Sequence, residues 1–437
     1  LSRIEVGYSP PLHGEVSPPP DKSISHRAMI LAGIADGRSH IRNFLNADDP
    51  LRTVEAFRQM GIGIEESKTQ DSIPRTQSRE LIVHGRGLKG LREPEGVIDC
   101  GNSGTTMRLL SGVLAGQPFT ATLTGDASLR KRPMQRIIRP LTEMGAIMES
   151  GPEGRPPLRI TGGDLRPISY RSPVASAQVK SAILLAGLYC DGVTSVIEPE
   201  RSRDHTERML GSAGVDVRIK GLEVAVRGKA EIRPLDMTIP GDFSSAAFFI
   251  VAASIVHGSE ILIKDTGVNP TRTGLIDIMA QMGARIELRD VRVVSGEPVA
   301  DIYVRHSELK GVTVGGDLVV RAIDEFPVLC VAAAIADGVT KITGASELRV
   351  KESDRIATIA SELRRMGVRV EELEDGIIIE GRRRLRASII HSHGDHRVAM
   401  AMAVAGLRAD GVTTIEDTEC VNTSFPGFAE MLMGLIK

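Results

Sequence analysis

At 437 residues, with 54 basic against 56 acidic side chains and 41% hydrophobic content, the chain is expected to form two globular domains of about 200 residues each. The near-even charge gives no basis for nucleic-acid or membrane-surface partners, and 3% aromatics without tryptophan leave no stacking platform for single strands. The longest apolar stretch, Ala246–Val256, falls short of the ~20 residues that span a bilayer, residues 1–17 lack a signal-peptide core, and four cysteines without CxxC spacing fit a reducing cytoplasm.

The first strong element is Pro18–Gly37, PPPDKSISHRAMILAGIADG. Three prolines forbid helix up to Pro20, Asp21 or Ser23 can cap the helix beyond them, and Gly37 is expected as the residue just past the helix end. Lys22, Ser23, His26 and Arg27 then crowd the first turn of an apolar helix. Cations oppose the macrodipole at that end, so the pattern points to a bound anion.

The pattern recurs. Apolar helices closed by glycine are expected to end at Gly37, Gly116, Gly192, Gly258, Gly338 and Gly411, roughly 75 residues apart. Each precedes a short β-prone segment such as PFTATLTG or VTTIEDT, and then an amphipathic helix closed at Gly61, Gly145, Gly214, Gly283 or Gly367. The sixth amphipathic helix, FPGFAEMLMGLIK, lacks the strands that come after the others, and residues 3–16 look like the missing piece. The expected organisation is three units in 20–240 and three in 241–437 completed by 1–19. Two crossings, near Pro18–Pro20 and Pro240, would permit hinge closure. Helices apolar all round are buried on every side, which would turn their starts toward one cleft. The bland reading of the same pattern is an α/β repeat protein with a concave binding face.

At the helix starts stand DKSISHR, GNSGTTMR, SAQVK, GDFSS, IDEF and GDHR, with DASLRKRPMQR, SRDHTER, NPTR and RVKESDR at the second helices. Single Ser, Asp or Asn residues there are ordinary caps. Lys22, Arg27, Arg132, Lys180, Arg203, Arg272, Lys351, Arg355 and Arg397 depart from that reading, because together they would repel one another unless polyanionic ligands joined them. Asp324, before FPVLCVAAAIA, reads either as a cap or as an acid/base group. Glu352 reads either as a helix ion pair or as its counterpart. His396 reads as a ligand contact or a structural histidine. No phosphate loop, HExxH or GxSxG occurs, and His391, His393 and His396 lack a carboxylate-rich partner motif, so no metal site is expected.

PDKSISHR, GNSGTT, KRPM, SAQVK, RDHTE, DEFPVL, RVKESDR, DHRVAMA and SFPGF occur in the order of the EPSP synthase (3-phosphoshikimate 1-carboxyvinyltransferase) family, which the chain resembles over essentially its whole length. The resemblance implies an α/β, two-domain enolpyruvyl transferase fold. That fold has six copies of a βαβαββ-type unit, three per domain, and a hinge between the domains. It implies transfer of the enolpyruvyl group of phosphoenolpyruvate to the 5-hydroxyl of shikimate 3-phosphate through a tetrahedral ketal, with phosphate released. Neither cofactor nor metal is implied, and a cytoplasmic monomer is expected.

Carried over by motif, Lys22, Ser23, Arg27, Ser176, Ala177, Gln178 and Arg203 would hold shikimate 3-phosphate, together with Asp324 and Lys351. Lys22, Asn102, Gly104, Arg132, Gln178, Arg355 and Arg397 would line the phosphoenolpyruvate side. Glu352 would serve the carbon proton and Asp324 the hydroxyl proton, with Lys22 and His396 grouped among the catalytic residues.

Two departures stand out. Some members carry a lysine where this chain has Asn422, Thr423 and Ser424, and Pro20 replaces the glycine usual before DKS. SAQVK, RDHTE and NPTR resemble the branch that includes glyphosate-tolerant enzymes, so weakened glyphosate binding is expected although Gly104 keeps the small residue. The sister enzyme acting on UDP-N-acetylglucosamine shares the repeats but carries a reactive cysteine in a loop matching TGDASLRKRPM, which has none. A non-catalytic anion-binding repeat protein is the third reading.

Overall fold

Six helices with apolar residues on nearly every side form the framework of the computed structural model, which describes residues 2–67, 78–382 and 384–436. They are α1 (Lys22–Ile34), α2 (Gly104–Ala115), α3 (Ala177–Gly187), α4 (Phe243–Ile255), α5 (Phe326–Ile335) and α6 (His396–Gly406). All thirteen residues of α4 are buried, as a helix without a polar face requires. Asp21, Ser103, Ser176, Asp242 and Asp395 each accept a backbone N–H at the start of their helix, which satisfies donors that have no partner within it. Helix α5 differs, opening with proline in its first turn and no side-chain cap.

Between and after these come the amphipathic helices Asp48–Gln59, Gln135–Met144, His205–Ser212, Gly274–Gln281, Arg355–Arg365 and Phe428–Met433. Lys437, the last residue of the segment expected to form the sixth, lies outside the described residues. The helix-closing glycines fall slightly elsewhere than expected. Helix α1 ends at Ile34 with Ala35 extended, and Gly37 lies inside the strand Asp36–Leu45 with φ +122°. Its glycine character serves the turn from helix into strand rather than the helix end.

Among the described residues the strands form five four-stranded sheets, one three-stranded sheet and one two-stranded pair. The five share one order. In the sheet Ile98–Asp99, Thr120–Thr124, Arg155–Thr161, Ile147–Gly151, the first two strands are parallel and joined through α2, whereas the others pair antiparallel. A parallel pair needs a crossover element, and the buried helix supplies it. Six βαβα-based units result, the last closing with three strands.

The chain divides into two compact units. The N-terminal unit comprises Pro20–Ile239 and Val294–Glu297; the C-terminal unit comprises Leu1–Pro19, Pro240–Val293 and Pro298–Lys437. Each has its own apolar core around three of the six buried helices. The N-terminal strands belong to the C-terminal unit: Arg3–Val6 pairs antiparallel with Thr413–Glu416, and His13–Val16 runs parallel to Glu260–Gly267. In the N-terminal unit, Asp236–Thr238 fills the equivalent edge beside Asp36–Leu45. Among the described residues no helix is long and apolar enough to cross a membrane.

Helices α2 and α3 touch backbone to backbone at Gly112, where a Cβ would overlap the Ala182 carbonyl oxygen. Backbone cannot rotate away as a side chain would. Gly112→Ala is therefore expected to destabilise the protein by about 1–3 kcal/mol, measured as a lower urea midpoint; an unchanged midpoint would contradict this packing.

Candidate functional site

In the N-terminal unit, α1 starts with Lys22, whose Nζ lies 3.0 Å from Asp49 Oδ2 in a half-buried ion pair. Ser23 is half-buried beside it. His26 departs from the expectation of a basic first turn. It is fully enclosed, and burial, reinforced by the charges of Lys22 and Arg27, pushes its pKa well below the ordinary value, so it is a neutral imidazole. Its Nδ1 lies 2.7 Å from Thr53 Oγ1, which lies 2.8 Å from Thr106 Oγ1, which in turn donates to Ser103 Oγ at 2.8 Å. This chain of bonds ties the start of α1 to the start of α2. Arg27 donates to Thr206 Oγ1 (2.7 Å), the Ser23 carbonyl (2.9 Å) and Ser181 Oγ (2.9 Å), joining α1 to α3 and to the helix His205–Ser212.

At the start of α2, Arg132 donates to Asn102 Oδ1 at 2.6 Å while Asn102 Nδ2 donates to Asp126 at 2.8 Å. A Cβ on Gly104 would lie 2.8 Å from Arg108 Nη1 and 3.3 Å from Arg132 Nη1. Glycine at this position lets two guanidinium groups reach the end of the helix where N–H groups collect. Arg108 is not among the residues expected at the site. It donates to Gln178 Oε1 at 2.7 Å, and Gln178 Nε2 donates to Thr105 Oγ1 at 2.9 Å, so α2 and α3 present one joined surface. The sequence signal for it is its spacing, four residues beyond Gly104 on the same helix face. Ser176 caps α3, Ala177 opens it, and half-buried Arg203 lies in the loop before His205.

In the C-terminal unit, Asp324 precedes α5 but does not cap it; Glu325 occupies that place. Asp324 Oδ1 lies 3.5 Å from Arg355 Nη1, its Oδ2 3.6 Å from Arg397 Nη2, and its carbonyl accepts from Arg397 Nη1 at 3.0 Å. Glu352 Oε2 lies 2.6 Å from Arg355 Nη2, and Asp395 Oδ2 lies 2.8 Å from Arg355 Nε. One guanidinium thus carries both carboxylates expected to move protons. Burial alone would lower the Arg355 pKa, but Asp395, Glu352 and Asp324 outweigh it and hold the cation above its usual range. Asp395 is fully buried, and its other oxygen accepts the Arg397 and Val398 N–H groups that start α6. Asp324 and Glu352 remain 14% and 18% exposed, open to an incoming group. Half-buried Lys351 adjoins Glu352, and His396 is buried as the first residue of α6.

The expectation that the basic helix starts would repel one another without ligands needs correction, because carboxylates within the protein offset several of them. Lys180 is not a ligand-facing cation: its side chain is 1% exposed and pairs with Glu198 (2.8 Å) and Glu207 (2.7 Å). Arg272 is likewise buried, donating to Ser244 Oγ at 2.6 Å and facing Asp242. His391 and His393 keep their rings 6.3 Å apart, but each pairs with its own carboxylate, Glu416 and Glu362 respectively. Among the described residues no group of three or more His, Cys, Asp or Glu could hold a metal ion. All four cysteines are free, and burial raises every thiol, Cys420 to about 11 and Cys100, Cys190 and Cys330 in the same direction.

The family described as EPSP synthase (3-phosphoshikimate 1-carboxyvinyltransferase) matches residues 7–432. A protein of Geobacter metallireducens named 3-phosphoshikimate 1-carboxyvinyltransferase is 54% identical over 423 residues, covering 96% of each chain. One of Thermodesulfovibrio yellowstonii with the same name is 52% identical over 429 residues and covers 98% of each. A solved structure of EPSP synthase from Acinetobacter baumannii superposes with a TM-score of 0.86 at 46% identity, covering 100% of this chain and 98% of that one.

The neutral His26 gives a pH signature. Its pKa in the folded protein lies below the 6.5 of an exposed imidazole, so the unfolded chain binds the proton first as pH falls. The stability it contributes is complete above pH 6.5 and is lost as pH drops below that value toward the folded pKa. Unfolding free energy measured in urea should decline from about pH 7 to 5.5, and His26→Asn should flatten part of that decline; equal slopes in the two proteins would contradict the assignment.

Proposed function

The chain belongs to the EPSP synthase (3-phosphoshikimate 1-carboxyvinyltransferase) family, and from that premise we propose how its residues divide the work. The reaction transfers the enolpyruvyl group of phosphoenolpyruvate to the 5-hydroxyl of shikimate 3-phosphate and releases phosphate. Protonation of the methylene carbon makes the adjacent carbon electrophilic. The hydroxyl adds to it, and loss of phosphate from the resulting ketal restores the double bond. Each step shifts charge onto or off phosphate and carboxylate oxygens, so preorganised cations contribute most, at about 3 kcal/mol each.

The observation that carries the assignment is the shared guanidinium of Arg355, which holds Glu352 at 2.6 Å and Asp324 at 3.5 Å. Glu352 takes the carbon proton to and from the methylene carbon, and Asp324 accepts the hydroxyl proton. Arg355 and Arg397 keep these carboxylates oriented and face the carboxylate or phosphate of phosphoenolpyruvate, while Lys351 and Asp324 serve shikimate 3-phosphate and His396 is counted with the catalytic residues. In the N-terminal unit, Lys22, Ser23, Arg27, Ser176, Ala177, Gln178 and Arg203 bind shikimate 3-phosphate. Asn102, Gly104, Arg132 and Gln178 serve phosphoenolpyruvate, and Lys22 contacts both. Arg108, beside Gly104, adds a cation to the phosphoenolpyruvate set, whereas Asn422, Thr423 and Ser424 offer none.

The sister activity on UDP-N-acetylglucosamine is not favoured, since the family match points elsewhere and no thiol is poised as a thiolate. A non-catalytic repeat protein is not favoured either. Four free thiols suit a reducing compartment, and a cytoplasmic location is part of this proposal.

Phosphate release from phosphoenolpyruvate should depend on shikimate 3-phosphate and be absent with UDP-N-acetylglucosamine. Asp324→Ala should lower turnover by about 100-fold or more while the protein stays folded. Release with the nucleotide sugar, or full turnover in Asp324→Ala, would overturn the reading.

A further inference from the structure

Lys180, Glu198 and Glu207 form a charged group with side chains 1%, 3% and 2% exposed, none of which the proposed chemistry uses. Glu198 is bonded far beyond its pairing with Lys180. Its Oε1 accepts the Ser176 backbone N–H at 3.1 Å and the Ser202 hydroxyl at 2.6 Å, and its Oε2 accepts the Ser202 N–H at 3.4 Å. Lys180 Nζ closes the loop by donating to the Ser202 carbonyl at 3.4 Å. One carboxylate therefore fixes the backbone at the cap of α3 and the backbone immediately before Arg203. These two segments are far apart in sequence, and both carry proposed ligands of the shikimate phosphate.

We propose that Glu198 and Lys180 are positioning residues for the phosphate of shikimate 3-phosphate, setting Ser176 and Arg203 in register without touching the substrate. This rests on the reading above that Ser176 and Arg203 bind that phosphate. Orientation is the need being met, since a serine hydroxyl and a guanidinium bind a phosphate well only when both are aimed at it. Charge is the second need. Two carboxylates buried without Lys180 would repel an arriving dianion, and Lys180 offsets one of them.

The test compares dissociation constants for shikimate 3-phosphate and for shikimate, which lacks the phosphate, by calorimetry on the full-length protein. Glu198→Gln should weaken shikimate 3-phosphate about tenfold, the scale of a charged hydrogen bond, and leave shikimate unchanged. Ser202→Ala removes a single bond and keeps the buried charges, so it remains informative if Glu198→Gln does not fold; it should shift the same constant about threefold. Lys180→Met should weaken phosphate binding further, and Lys180→Met with Glu207→Gln should recover part of the loss because the charge is restored. A general packing defect would weaken both ligands alike and would overturn the proposal. Tight shikimate 3-phosphate binding in Glu198→Gln and Ser202→Ala, while Arg203→Ala loses it, would overturn the positioning role and leave the phosphate site standing. Unchanged binding in Ser176→Ala and Arg203→Ala would overturn the phosphate site itself, and the positioning role with it.

Discussion

A cation buried at or near the start of a helix meets a positive macrodipole and loses its water, and the protein answers this cost with carboxylates at the same place. Asp395 is the plainest instance. Its Oδ1 starts α6 and both of its oxygens hold Arg355, so the helix and the cation depend on a single buried group. Breaking such a pair leaves an uncompensated charge in the interior, at a cost of about 3–5 kcal/mol. Lys180 with Glu198 and Glu207, and Arg272 with Asp242, obey the same rule at other helices.

This constraint sorts the basic residues into two kinds. Lys180 and Arg272 are enclosed and act on their surroundings through partners inside the protein. Lys22, Arg203 and Lys351 keep some exposure and can reach an anion. The enclosed group gives the exposed one its precision, because a side chain anchored by a rigid neighbour has fewer alternatives to lose on binding. Gly104 adds a steric version of the same idea: the missing side chain lets Arg108 and Arg132 approach the end of α2.

The repeat is legible because it is written in local features. Glycine spacing, caps such as Asp21 and Ser103, and helices without a polar face are all readable in short windows. The two carboxylates come into view at the helix starts, and the family resemblance gives each its role. The hidden remainder depends on partners distant in sequence. Lys180 looks like any basic helix start until Glu198 and Glu207 fold against it, and His26 looks cationic until Thr53 and burial are known. Arg108 sits in the second turn of α2 rather than at its start, outside the pattern of basic helix starts. Gly37 reads as a helix end because glycine marks both helix ends and turns into strands, and spacing alone does not separate them.

In the proposed mechanism, Glu352 carries the proton that makes the methylene carbon of phosphoenolpyruvate a methyl group and then takes one back. Running the reaction in deuterium oxide and following deuterium in the vinyl group of the product by mass spectrometry reads that step directly. The wild-type protein should label the vinyl group, and Glu352→Gln should lose labelling and turnover together, by about 100-fold or more. Labelling by Glu352→Gln at the wild-type rate would contradict the account.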